Sequence, residues 1–366
     1  MNKKKVLLCS PMKTPGGITQ WTKHIKIYYE SCINSCVDID IFPMDRSEYI
    51  PEKMSILKRL LWGIKDYKLL TNAIIEKVNV KQYSIIHLAS SASISLLKDL
   101  YILKKIKNNN IKTILHFHFG RIPQLLEKQN WEWKLLKKVI KLADHVIVID
   151  KKSYDVLLKE GFANISLLPN PLSPQVEKII KSKTNIERKD GKILFAGHVI
   201  KTKGVYELVE ACSDIPNIEL KLVGKILPKV EEDLRKLWNN KKSKLIITNN
   251  IAFEDVVSEM LSCNVFVLPT YTEGFPNVII ESMACACPIV ATPVGAIPEM
   301  LNVGDTNCCG ICVEPQAVKP LREAIIKMIE DKEFSSKCSS AARQRVIELY
   351  SMNTVWKQLL SIWNHI

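Results

Sequence analysis

The sequence has no run of about 18 or more apolar residues, the length a membrane-spanning helix requires, so no spanning segment is expected. The apolar stretch Val6-Leu7-Leu8-Cys9 behind Lys3-Lys4-Lys5 is too short for a signal-peptide core and has no small-residue cleavage site nearby. It reads as a buried first strand. No G-x-G-x-x-G fingerprint occurs, which disfavours a nicotinamide enzyme. There is no low-complexity tract and no short internal repeat. Eleven cysteines, an odd number, with no secretion signal point to a reducing cytoplasm rather than a disulfide framework. Cys308, Cys309 and Cys312 lie close together, but no second cysteine pair or histidine set completes a tetrahedral site, so no metal is expected there.

Acidic residues are short in one half. Residues 1–180 carry 29 Lys/Arg against 16 Asp/Glu, and residues 181–366 carry 23 against 22, so nearly all of the net +14 sits in the first half. Such a field favours an anionic partner: a membrane surface, a phosphorylated lipid or nucleic acid. The competing explanation is that lysine merely keeps the protein soluble. Hydrophobic residues at 47% and charged residues at 25% are the balance of an ordinary globular protein. A length of 366 residues suggests two domains.

Short apolar runs alternate with amphipathic stretches. Strands are expected at Lys5–Ser10, Asp38–Phe42, Ser84–Leu88, Lys112–Phe119 and His145–Ile149, and helices at Thr19–Cys32, Met54–Val78, Ile94–Lys107 and Glu127–Leu142. Pro169-Asn170-Pro171-Leu172-Ser173-Pro174 then reads as a stiff connection and a domain boundary. Beyond it the alternation restarts. Strands follow at Lys192–Ala196, Ile218–Val223, Leu245–Thr248, Val265–Leu268 and Ile289–Ala291, with helices at Val205–Cys212, Glu231–Trp238, Phe253–Ser262 and Ile279–Ala286. Asn353–Ile366 is a final amphipathic helix. The pattern predicts an α/β protein of two doubly wound Rossmann-like halves, residues 1–170 and 175–345, around a central cleft, with ligands at the C-terminal strand ends.

Three loops leave such strand ends. Thr272-Glu273-Gly274-Phe275-Pro276-Asn277-Val278 opens a helix whose first amides lack intrahelical partners and form an anion site, with Glu281 eight residues after Glu273. The alternative is an ordinary loop with two surface glutamates. Gly197-His198-Val199-Ile200-Lys201-Thr202-Lys203-Gly204 is a basic loop in which Lys203 can meet a diphosphate; alternatively it is a solvated lysine at a turn. Pro15-Gly16-Gly17-Ile18 follows the first strand as a phosphate or sugar approach loop, weak evidence alone.

Together these segments resemble the retaining GT-B glycosyltransferases of family 4 type (glycosyl transferases group 1), in the branch that builds bacterial polysaccharide, O-antigen and capsule. The resemblance spans nearly the whole chain and is strongest from Lys192 to Leu301: Glu273-x7-Glu281 matches the paired-glutamate signature and Lys203-Gly204 the diphosphate loop. It implies that Glu273 contacts the donor sugar, that the amides of the stretch Gly274 to Val278, which runs through Phe275, Pro276 and Asn277, hold sugar and phosphate oxygens, and that Glu281 bonds the ribose. It further implies that Lys203, with Gly16 and Gly17, stabilises the departing diphosphate, and that the C-terminal helix, about 350–366, returns to the first domain. The family places a histidine at a strand end near the donor sugar. Of His116 and His118, which share a strand face, His118 is favoured as nearer the edge, and Arg121 beyond it is a candidate for an acceptor phosphate.

The sequence departs from the family pattern at His198, where arginine is common, and at Ala286, where glycine is common. A left-handed backbone at Ala286 would cost roughly 1 kcal/mol. Two basic stretches with tryptophan suit an anionic membrane interface: Lys53–Lys68 with Lys58, Arg59 and Trp62, and Glu127–Lys141 with Trp131, Lys134 and Lys138. Both equally suit a core stripe with a solvated basic face. The expected activity is metal- and cofactor-independent transfer of a hexose or N-acetylhexosamine from a nucleotide diphosphate sugar to a lipid-linked or oligosaccharide acceptor, at the inner face of the cell membrane, with no nucleic-acid partner. Competing readings are a GT-B nucleotide-sugar epimerase and a non-catalytic nucleotide-sugar binding protein.

Overall fold

A computed structural model describes residues 3–32, 36–45, 56–107, 110–183, 186–239 and 242–366, with the side chains of 56–64 outside the description. The chain divides into two compact units, Met1–Leu168 with Trp356–Ile366, and Pro169–Val355.

The first unit holds a six-stranded sheet of β1 (Lys4–Ser10), β2 (Val37–Pro43), β3 (Ile85–Ser90), β4 (Lys112–Phe117), β5 (His145–Val148) and β6 (Ile165–Leu167), in the order β2-β1-β3-β4-β5-β6. Every pairing is parallel; Val6 sits opposite Ile39 on one side and Ile85 on the other. Helices cover both faces, so the centre of β1 is apolar, Val6, Leu7, Leu8 and Ile86 are fully buried, and β3 buries the polar side chain of His87 among its apolar residues. The chain reverses direction across the sheet between β1 and β3, and loops leave both strand ends there. The end of the last helix, Met352–His365, packs on this unit. Trp356 lies against Tyr28 and Tyr29, and Lys4 Nζ donates to the carbonyls of Trp363 (3.1 Å) and Asn364 (2.9 Å).

The second unit repeats the architecture with β7 (Lys192–Ala196), β8 (Glu219–Val223), β9 (Lys244–Thr248), β10 (Val265–Leu268), β11 (Ile289–Ala291) and β12 (Ile311–Cys312). Their order is β12-β11-β10-β7-β8-β9, again all parallel, with the reversal between β7 and β10.

Several segments differ from expectation. The strand expected over Lys112–Phe119 ends at Phe117, so His118 lies just beyond it and does not share the strand with His116. The single helix expected over Glu127–Leu142 is two, Ile122–Lys128 and Trp131–Ile140. Gln129 turns left-handed (φ 46°), and the Asn130 side chain caps the second helix by accepting from the amides of Glu132 (3.0 Å) and Trp133 (3.2 Å). The proline-rich stretch is more than a connection. Ser173 caps a helix over Pro174–Ser182, with Pro174 in the first turn, where its missing N–H costs nothing.

Candidate functional site

In the second unit, the loops after β7 and β10 leave the two strands that flank the reversal. They are fastened to each other. Tyr271 N donates to Thr202 O (2.9 Å), and Gly204, at φ 70°, lies so close to Pro269 that a Cβ would sit 2.0 Å from its carbonyl oxygen. Lys203 ends a short 3-10 turn, and its ammonium donates to the Glu273 carboxylate. The Glu273 side chain is only 17% exposed, so the pair is shielded.

The Glu273 loop is held from behind by residues the motif does not contain. Gly295, at φ 56°, would place a Cβ 2.4 Å from Glu273 O and 2.5 Å from Gly274 O, and Ala296 N donates to Gly274 O (2.9 Å). Only glycine fits there. Asn170, buried, donates through Nδ2 to Asn277 Oδ1 (3.1 Å) and Phe275 O (3.4 Å). Sequence reasoning placed Asn170 in the connection and missed this role; nothing in its flanking prolines signals it.

Phe275 is buried against Tyr350 (ring centroids 5.8 Å), so its side chain anchors the loop. Pro276 has no N–H and serves as the N-cap of the helix Asn277–Ala284, which has no side-chain cap. That leaves the amides of Asn277 and Val278 at the helix start, where the dipole favours negative charge. Glu281 follows one turn on, and burial pushes its carboxyl up to about 7. His198 is exposed at the end of β7. Ala286 adopts the left-handed conformation (φ 52°) in the turn after this helix.

In the first unit, a cavity of about 580 Å³ opens at the β1/β3 reversal, its wall including Thr14, Gly16, Gly17, Ser91, Lys98 and His118. Asp45, another residue missed in the sequence, organises its edge. Its carboxylate accepts from the amides of Met12 (2.8 Å), Lys13 (2.9 Å) and Thr14 (2.8 Å). Burial opposes ionisation of Asp45, but those amides outweigh it and hold the carboxyl below its ordinary range. The amides at 12–14 are therefore occupied, whereas a Cβ on Gly16 or Gly17 would meet nothing within 4 Å. His118 lines the cavity with its ring against His116 (centroids 3.9 Å), and desolvation pushes it down to about 3, so it is neutral. His116 is fully buried.

Arg121 Nη2 donates to Glu132 Oε1 (2.5 Å) and Ser93 Oγ (2.8 Å), bracing the loop after β3, while its side chain stays 46% exposed. Trp131 is 57% exposed and Trp133 fully buried, and Lys134 and Lys138 are exposed on the same helix. The side chains of Lys58, Arg59 and Trp62 lie outside the described residues. The one Asp-x-Asp sequence, Asp38-Ile39-Asp40, is on β2, where Asp40 accepts from Tyr83 (2.5 Å) and Lys77 (3.0 Å). Among the described residues no group of three His, Cys, Asp or Glu side chains is placed to hold a metal ion, and no helix is long and apolar enough to cross a membrane.

Residues 176–345 match the family described as Glycosyl transferases group 1, and residues 43–176 match Glycosyltransferase Family 4. The chain is 30% identical over 203 residues to the capsular polysaccharide biosynthesis glycosyltransferase CapM of Staphylococcus aureus, covering 52% of each protein. It spans about half the length of several curated relatives it matches. Its fold is shared with sucrose-phosphate synthase from Thermosynechococcus elongatus (TM-score 0.72, 18% identity, 99% of each chain). It is also shared with Anabaena Alr3699/HepE, solved in complex with UDP (TM-score 0.69, 16% identity, 99% of this chain and 100% of that one). From residue 43 to residue 345 the chain thus carries the family 4 and group 1 glycosyltransferase domains, on a GT-B fold.

Proposed function

We propose that this protein is a retaining glycosyltransferase that moves a hexose or N-acetylhexosamine from a nucleotide diphosphate sugar to a growing, lipid-linked glycan in surface polysaccharide assembly. One observation carries the reading: Lys203 and Glu273, from the two loops at the β7/β10 reversal, meet beside the uncapped start of the helix Asn277–Ala284. Departure of a nucleoside diphosphate leaves negative charge on phosphate oxygens. A lysine and two helix amides held at this loop junction can meet that charge as it develops, which is how electrostatic catalysis lowers such a barrier. Glu281, one turn along, suits the ribose hydroxyls. The UDP bound by HepE, which shares the fold, and the capsule pathway of CapM support the donor class and the pathway.

The first unit is read as the acceptor side, and Gly16, Gly17 and His118, which line its cavity, keep the donor roles that the family resemblance implies. Its excess of positive charge and the exposed Trp131, Lys134 and Lys138 suit an anionic membrane surface. No metal or cofactor enters this proposal. Incubation with labelled UDP- and GDP-sugars and a lipid-linked acceptor extract tests it, with the anomeric configuration of the product read by NMR. Transfer with retention is expected, and Glu273→Ala should abolish it in a folded protein. Sugar interconversion without an acceptor would instead identify an epimerase. Turnover only on soluble sugars would remove the lipid part.

A further inference from the structure

The last helix ends in a hydrogen-bonded chain that runs beneath the cavity of the first unit. Trp363, fully buried, donates its indole N–H to His87 Nδ1 (3.0 Å). An indole nitrogen only donates, so His87 Nδ1 is an acceptor and carries no proton. Burial pushes His87 down to about 3, so the ring is neutral and its one proton is on Nε2. His87 Nε2 lies 3.3 Å from His116 Nδ1. His87 must donate in that contact, His116 Nδ1 must accept, and the proton of neutral His116 is forced onto its Nε2. One indole therefore settles the tautomers of two histidines on neighbouring strands, β3 and β4. The His116 ring is in turn the surface against which His118 rests, and Trp21 packs on both rings (centroids 4.9 Å and 4.8 Å).

We propose that Trp363 is a positioning residue for His118: through His87 it fixes the tautomer and orientation of His116, the ring on which His118 is seated at the cavity wall. The inference deepens the reading of His118 as a sugar contact and rests on it for its effect on turnover. Its effect on tautomers stands without that reading. His87, His116 and Trp363 touch no substrate; they act through His118.

The test uses the full chain, with histidine tautomers read by long-range proton–nitrogen NMR and turnover followed as transfer from UDP-glucose, UDP-galactose, UDP-N-acetylglucosamine or GDP-mannose to the lipid-linked acceptor extract. The wild-type protein should show His87 and His116 in the Nε2–H form. Trp363→Phe keeps most of the buried bulk and removes the donor. It should give mixed tautomers at both histidines and a kcat lower by roughly tenfold, with donor KM within about twofold, as expected of a displaced contact. If this variant does not fold, His87→Gln and His87→Leu carry the test. The glutamine amide retains an N–H toward His116, so kcat should stay within about threefold of wild type, whereas leucine should reproduce the Trp363→Phe loss. Unchanged tautomers and kcat in Trp363→Phe, or equal losses in the two His87 variants, would overturn the proposal. Wild-type turnover in His118→Ala would instead overturn the role given to His118, and the NMR result would then decide the relay alone.

Discussion

Lys203 donates its ammonium to Glu273 across 70 residues of sequence, so two groups assigned to one donor molecule already neutralise each other in the free protein. A diphosphate would compete with Glu273 for Lys203, and the displaced carboxylate would turn to the sugar hydroxyls. Lys203→Met should therefore lower kcat/KM by about 100-fold, the usual cost of removing one preorganised donor to a developing charge. Glu273→Gln should retain nucleotide diphosphate binding, read by calorimetry, while losing turnover. Equal loss of binding in both variants would mean that the pair only holds the two loops together.

Glu281 gives a pH signature. Its folded pKa, about 7, is raised by burial from an ordinary value of 4.5. The stability this shift contributes is fully present below about 4.5 and is lost as pH rises through about 7. Nucleotide binding runs the opposite way, because ribose hydroxyls donate to the ionised carboxylate. Affinity for UDP or GDP should rise as pH increases through about 7 and then level off. In Glu281→Gln both dependences should flatten, and thermal stability at pH 8 should exceed that of wild type. A wild-type affinity that falls with rising pH would remove Glu281 from the ribose site.

Glycines separate packing from approach. Gly17→Ala adds a methyl where nothing lies within 4 Å, at the start of the helix Gly17–Ser31. Its thermal midpoint should equal or exceed that of wild type, since alanine favours helix by about 1 kcal/mol over glycine, while kcat/KM falls. Gly295→Ala would press on the Glu273 carbonyl oxygen at 2.4 Å and should destabilise by about 2 kcal/mol or more. Full activity in Gly17→Ala would show that no ligand uses the open space.

The legible parts of the fold are those whose signals are complete locally. β7, β10, β11 and the helices Val205–Cys212 and Phe253–Ser262 have the expected boundaries, because apolar runs or periodic faces end at turn residues. The helix Lys332–Arg345 went unread because it buries Ser335, Cys338, Ser339 and Ala342, small side chains that make no apolar stripe. The helix Val318–Glu330 is different. Leu321, Ala324, Ile325 and Met328 carry helical spacing, so the sequence does contain its signal. In the site, the motifs named the loops after β7 and β10 but not what braces them. Gly295 and Asp45 act on backbone carbonyls and amides, and Asn170 on the Phe275 carbonyl as well as the Asn277 side chain; a backbone contact leaves no mark on residue type beyond a glycine or a small polar side chain.

The exposed face of the helix Trp131–Ile140 permits a direct test of membrane contact. Trp131, Lys134 and Lys138 are exposed, whereas Trp133 is buried and has Lys137 over its ring at 5.2 Å. Pelleting with phosphatidylglycerol vesicles should weaken in Lys134→Glu/Lys138→Glu, by about 1 kcal/mol for each lysine lost and more for reversal. Trp131→Ala should weaken it further, and 0.5 M salt, a condition that shortens the screening length to roughly 4 Å, should abolish most of it. Binding that is indifferent to salt and to these substitutions would place the contact elsewhere.

Ala286 pays for its left-handed backbone (φ 52°) in the turn that follows the Glu281 helix. Arg188 supports the turn by donating to the carbonyls of Cys285 (2.8 Å) and Ala286 (2.5 Å). An L side chain in this region costs about 1–2 kcal/mol, and glycine gives back about 0.4–1 kcal/mol through the greater entropy of the unfolded chain. Ala286→Gly should therefore stabilise the second unit by roughly 0.5–1 kcal/mol, a rise of about 2–3 °C in thermal midpoint for a unit of this size. Because the substitution leaves Glu281 and its helix in place, nucleotide affinity should not change. A lower midpoint would mean that the alanine methyl packs well enough to outweigh the strain.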